Sequence, residues 1–277
     1  MARFFLSALM VSMLSVSLLG QDSRVFELRT YSSEPGRQAD TLKLMSNEGL
    51  GYMKKHKLDV AGIFTPVDIA DERVFMLVSH ADKPSLDAAA TAMANDDGWK
   101  EAVKKSEVDG KKPVKGIEKV ILAVNDYSPK LEVKEIGNRI FELRTYITTK
   151  GNLSALNSRF RNHTLGLFAK HGMTNILYCS VRSGETTNCG QLLKALSPLG
   201  KDAAEVDLSM PATGNALVYF LAHASTEAAA SSFGKFREDQ DWIKARQASE
   251  TAAGGSLTVG GGVKSLFLKP VGFSPLK

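Results

Sequence analysis

Three residue types able to do chemistry recur on alternate positions of one short segment: Glu27, Arg29 and Tyr31, and again Glu142, Arg144 and Tyr146. Positions two apart in an extended strand share a face, so each trio presents a carboxylate, a guanidinium and a phenol together. Two guanidiniums can hold an acidic or polar small ligand in bidentate fashion, and a carboxylate beside them can act as a general base. The same groups have a purely structural use, because a buried charge is tolerated when paired and hydrogen-bonded. The near-symmetric set of two Glu and two Arg favours closed ion pairs over a ligand site.

Histidines form a second set. His56 and His171 each follow a Lys at the end of a helical pattern, and His80 and His223 each close an apolar segment. All four are candidates for a ligand contact or for proton transfer. A histidine at a helix C-terminus also bonds the last carbonyls and complements the helix dipole, and that is the expectation for His56 and His171. Trp99 and Trp242 are expected to anchor a helix to the sheet by burying a large area. The only two cysteines, Cys179 and Cys189, are expected to form a disulfide in an oxidising compartment; the alternative is a buried thiol at Cys179 and an exposed one at Cys189. Neither has a His or further Cys at metal-ligand spacing. The chain contains no phosphate loop, no Gly-x-Ser-x-Gly elbow, no Cys-x-x-Cys and no His-Glu-x-x-His. Nucleotide-binding and hydrolase readings therefore lose weight, and no metal or cofactor is expected.

The elements that position these residues come from a duplication. The octapeptide Arg24 to Tyr31 returns almost letter for letter at Arg139 to Tyr146, and the same spacing relates Gly36 to Gly151 and Lys55-His56 to Lys170-His171. Further on, His80 answers His223 and Trp99 answers Trp242 at a wider spacing, so the second copy carries an insertion around residues 183–213. Each copy reads as β-α-β-β-α-β, the ferredoxin-like arrangement of an α+β protein. Phe26 and Leu28 are expected to face the helices, with Glu27, Arg29 and Tyr31 on the opposite side. A sheet covered on one face must cover or solvate the other. Two tandem units, 24–127 and 139–277 joined by a linker at 128–138, are therefore expected to pack sheet to sheet as an intrachain pseudo-dimeric α/β barrel, with both trios lining the shared interior.

Arg3 followed by an apolar stretch from Phe4 to Leu19 has the layout of an export signal and is shorter than the ~20 residues a bilayer needs. Cleavage is expected near Gly20, with Ser17 as the alternative, leaving a periplasmic or secreted protein off the membrane. The formal charge of +5 is mild, and its basic residues are not gathered as a nucleic-acid surface requires, so no nucleic-acid partner is expected.

Taken together, the Phe-Glu-Leu-Arg-Thr-Tyr strand, the Gly-led helix ending in Lys-His, the His closing strand three and the Trp of the second helix resemble the NIPSNAP domain of the dimeric α/β-barrel superfamily, in both halves. The resemblance implies paired ferredoxin-like units forming a barrel. It implies no defined reaction, since the superfamily includes cofactor-free monooxygenases, polyketide-type cyclases and haem enzymes; by analogy with the last, the four histidines are also candidate cofactor ligands. The expectation is an exported, non-enzymatic or small-ligand-binding barrel protein whose partner is a small polar or aromatic molecule. The alternatives are a cofactor-light oxygenase or isomerase of that superfamily, and an interaction module using the insertion. Further self-association of the chain stays open.

Overall fold

Among the described residues, β-branched and aromatic runs, bounded by turns, give eight strands: β1 Val25–Ser33, β2 Asp59–Pro66, β3 Val74–His80, β4 Val114–Val124, β5 Ile140–Thr148, β6 Thr174–Val181, β7 Ala216–His223 and β8 Thr258–Pro270. The computed structural model describes residues 24–185, 187–199 and 209–277. The expected export signal lies outside them. Among the described residues no helix is long and apolar enough to cross a membrane.

The strands close into one barrel in the order β1-β3-β2-β8-β5-β7-β6-β4, with every pair antiparallel. This corrects the expectation of two tandem units packed sheet to sheet as a pseudo-dimer. Each copy supplies four adjacent strands, but their edges are hydrogen-bonded to one another. Phe64, Thr65 and Pro66 of β2 pair with Pro270, Lys269 and Leu268 of β8, and Leu122, Ala123 and Val124 of β4 pair with Val181, Ser180 and Cys179 of β6. An open edge leaves a row of unpaired backbone groups; these two seams remove all four edges. The chain is one continuous barrel.

The barrel interior is apolar, which corrects the expected facing of the repeated strand. Phe26 and Leu28 of β1 and Phe141 and Leu143 of β5 point inward, into a cluster shared by both copies. Phe64 meets Phe141 across a seam with ring centroids 5.0 Å apart. Side chains fill barrels of this strand number. Tyr31 instead joins a cluster formed with the first copy's helices, and Tyr146 packs against the corresponding cluster of the second. Because β1 and β5 stand on opposite sides of the barrel, Arg29 and Arg144 cannot converge on one ligand.

The covering helices repeat as well. In the first copy α1 (Gln38–Leu44) passes through a π-helical turn (Met45–Gly49) into α2 (Leu50–Lys55), and α3 (Lys83–Asn95) is followed by α4 (Asp97–Lys105). In the second, α5 (Leu153–Arg159) passes through a π-helical turn (Phe160–Thr164) into α6 (Leu165–Lys170). The insertion forms α7 (Cys189–Leu196), and α8 (Thr226–Glu238) and α9 (Gln240–Ala252) complete the layer. The Asn188 side chain accepts from the Gln191 amide, and the Gln191 side chain reaches back to the Asn188 amide. This reciprocal cap starts α7. Its Leu192, Leu193 and Leu196 belong to the barrel core, so the insertion buries its apolar face inside the molecule. Arg73 fastens the other end of α7. Its guanidinium donates to the carbonyls of Lys194 (3.3 Å), Ala195 (3.1 Å) and Ser197 (2.7 Å) while paired with Asp71.

Candidate functional site

The trio of the second copy is enclosed by aromatic rings, with Arg144 Nε left without a hydrogen-bond partner among the described residues. Glu142 is 1% exposed; it is ion-paired with Arg144, accepts from Ser265 Oγ at 2.5 Å and bonds His223 Nε2 at 2.9 Å. Arg144 also donates to the Tyr146 hydroxyl at 3.2 Å and lies 4.5 Å from the centre of the Phe233 ring. Phe160, Phe168 and Phe236 join Phe233 in the surrounding cluster, and Tyr178 stacks on Tyr219 at 5.0 Å. Burial pushes the Tyr219 and Tyr178 hydroxyls far above their ordinary pKa, so both are neutral phenols. The Glu–Arg pair is made within one strand and under the helices, not between the two copies across a shared interior.

The trio of the first copy is open. Glu27 pairs with Arg29, but Arg29 and Tyr31 line a cavity of about 460 Å³ between the helices and the sheet. Its walls are Leu44, Met45, Met53, Ala90, Met93 and Trp99, and Lys112, Lys115 and Lys119 also line it. Arg29 is 5% exposed, yet its Nη2 has no hydrogen-bond partner among the described residues. The Tyr31 hydroxyl is directed to Met76 Sδ at 3.7 Å. Burial raises its pKa, with Arg29 opposing the shift.

Repeat-equivalent positions explain the difference. Met45, Met53, Met76, Ala90 and Met93 stand where the second copy has Phe160, Phe168, Tyr219, Phe233 and Phe236. Aromatic side chains fill the space in one copy, and narrower or shorter ones leave it unfilled in the other. Lys119, opposite Arg29 on β4, likewise replaces Ser265, opposite Arg144 on β8. A search of the sequence for reactive groups passes over these residues, because methionine and alanine carry no obvious chemistry. The aligned copies do show the exchange.

The remaining candidates have other surroundings. His56 Nε2 and Lys55 Nζ meet the Asp96 carboxylate at 2.8 and 2.6 Å, and His171 and Lys170 meet Asp239 at 2.7 and 2.8 Å. Asp96 also caps α4 by accepting from the Trp99 amide at 3.2 Å, and Asp239 caps α9 by accepting from the Asp241 amide at 2.9 Å. Hydrogen bonds from Lys55 and His56, and from Lys170 and His171, hold these carboxyls well below the usual carboxylate range. Both histidines therefore tie the end of one helix to the start of another. His223 is buried on Glu142. His80 has a buried Nδ1 with no hydrogen-bond partner among the described residues, and it does not line the cavity. Trp242 packs against Phe236 at 4.5 Å, whereas Trp99 forms part of the cavity wall. Cys179 and Cys189 are separate buried thiols, not the expected disulfide. Cys179 sits on β6 within the barrel core, and Cys189 opens α7, with its Sγ 3.8 Å from the Pro211 carbonyl.

Over nearly its whole length the fold is similar to that of a protein named as a putative monooxygenase from Lactobacillus acidophilus. Identity is 11%, 90% of this chain and 94% of that chain are covered, and the TM-score is 0.51. At this identity the likeness is one of fold. A NIPSNAP family protein from Agrobacterium tumefaciens is 22% identical over 38% of this chain and 97% of its own, with a TM-score of 0.33. A NIPSNAP-like domain protein from Burkholderia xenovorans is 19% identical over 40% and 93%, with a TM-score of 0.35. No curated protein matches the chain. Two NIPSNAP-like domains are expected from the repeat; the family likeness is instead a single stretch, in which residues 26–129 match the NIPSNAP family model.

Proposed function

We propose that the chain is a cofactor-light enzyme of the oxygenase or isomerase kind, acting on a small organic molecule held in the cavity of the first copy. One observation carries this reading: a cavity of about 460 Å³ whose wall holds the buried Arg29 guanidinium and Tyr31 beside apolar side chains. The volume exceeds the ~300 Å³ at which organic ligands are ordinarily accommodated.

A fixed guanidinium stabilises negative charge developing on a substrate oxygen. That demand is common to enolising isomerases and to oxygenases that present a stabilised carbanion to dioxygen. Tyr31 is two residues along the same strand face. Its sulfur partner is a weak acceptor, so the phenol can turn its hydrogen to a substrate oxygen. The name carried by the Lactobacillus protein of the same fold supports this reaction class.

The test is a panel of enolisable ketones and hydroxyaromatics, assayed for oxygen uptake and for solvent-deuterium incorporation. Arg29→Lys, which keeps a cation beside the buried Glu27 but loses the guanidinium's donor geometry, should lower kcat/KM on any compound turned over by about 100-fold, as loss of an oxyanion donor does, while circular dichroism shows the fold retained. A folded wild-type protein that neither consumes oxygen nor exchanges protons with any compound would overturn the proposal.

A further inference from the structure

We infer that the cavity of the first copy selects an organic monoanion with an apolar body, a carboxylate held between Arg29 and Lys119; this deepens the proposed function and rests on its reading of the cavity as a substrate site. Three observations lead there.

The first is charge. The lining holds Arg29, Lys112, Lys115 and Lys119 and no Asp or Glu. Glu27 balances Arg29 from outside the lining, which leaves the three lysine charges on the cavity itself.

The second is register. Arg29 and Lys119 are directly opposed on the antiparallel pair β1 and β4. Opposed residues share a face with Cβ atoms about 4.5–5.5 Å apart, and like charges placed so repel. The second copy avoids the repulsion by setting Ser265 opposite Arg144 and bonding it to Glu142. Lys119 therefore adds an unbalanced cation beside the Glu27-paired Arg29 only in the copy whose cavity is open, and an anion in the cavity is drawn to it.

The third is the wall. Met45, Met53, Met93 and Trp99 supply an apolar surface beside this cationic pair. Unbranched, polarizable methionines conform to varied apolar shapes. A small inorganic anion would satisfy the cations and leave that wall empty. Carboxylates and sulfate esters share the required chemistry, and the planar carboxylate matches the planar guanidinium.

The test is isothermal titration calorimetry of the full chain at low ionic strength with octanoate, octyl sulfate and neutral octanamide. Octanoate should bind about tenfold or more tightly than octanamide, the scale of a hydrogen bond to a charged group. Lys119→Ser, a change at an exposed side chain, should weaken octanoate by about 2- to 5-fold and leave octanamide unchanged. Ala90→Phe, which installs the residue of the second copy, should abolish binding of both. Octanamide binding as tightly as octanoate overturns the inference, as does undiminished binding by Ala90→Phe. Octyl sulfate binding more tightly than octanoate overturns the carboxylate assignment. Octanoate binding in a protein that turns over nothing defeats the catalytic reading and leaves this one standing; turnover confined to neutral substrates does the reverse.

Discussion

Glu142→Gln should destabilise the fold by about 3–5 kcal/mol, the cost of breaking a buried ion pair by removing one partner. Glu142 accepts from Ser265 and bonds His223 and Arg144 within a site closed by aromatic rings. The amide preserves shape but leaves the Arg144 charge buried beside a neutral group. Burial pushes the Glu142 carboxyl up; His223, Arg144 and Ser265 outweigh it, so its net pKa lies below the ordinary value near 4.5. A carboxyl lowered in the folded state contributes stability that is fully present above its unfolded pKa and is lost as pH falls through the folded value. Wild-type stability in urea should therefore decline on acidification below about pH 4.5. The Gln variant, weaker at neutral pH, should decline less over the same range. A neutral-pH loss under about 1 kcal/mol would place the pair with exposed ion pairs in energetic terms and contradict the closed network.

Arg73→Ala should cost a similar amount, about 3–5 kcal/mol, by a different route. Arg73 is 6% exposed and Asp71 3%. The last carbonyls of a helix have no partners within it, and a cation there also complements the dipole. Arg73 bonds three carbonyls at the end of α7 and is held in place by Asp71. Without it, Asp71 is a buried charge with no cation, and α7 loses its fastening to the barrel. Hydrogen exchange over residues 189–196 should speed up well beyond the change in global stability, and proteolysis should begin in the insertion. Protection of α7 that falls only in step with the rest of the barrel would show that the core contacts of Leu192, Leu193 and Leu196 hold it alone.

The repeat makes most of the elements legible in the sequence, including the four strands of each copy and the helix ending in Lys-His. Barrel closure is not legible there, because it rests on two seams of three residue pairs each, too short to leave a pattern. The facing of the repeated strand comes out the wrong way round from alternation alone, for a physical reason. Every residue from Val25 to Tyr31 is buried, so alternation separates two faces without saying which is the interior. Phe26 and Leu28 fill the shared core, whereas Glu27 and Arg29 lie under the helices, where the pair borders a cavity. Spacing likewise does not say whether Cys179 and Cys189 approach one another, since that depends on where α7 enters the barrel. The candidate site is half legible. Arg29 and Tyr31 are marked by residue type, but the opening beside them comes from the methionines and Ala90, visible only when the copies are set against each other.

The central claim is that the cavity beside Arg29 is the working site, and methyl-labelled methionine NMR tests it directly. On titration of the full chain with octanoate, the methyl signals of Met45, Met53 and Met93, which line the cavity, should shift together and saturate. Those of Met173 and Met210, which pack against other clusters, should stay in place. Saturable binding that moves Met173 or Met210 and leaves Met45, Met53 and Met93 unmoved would contradict the account.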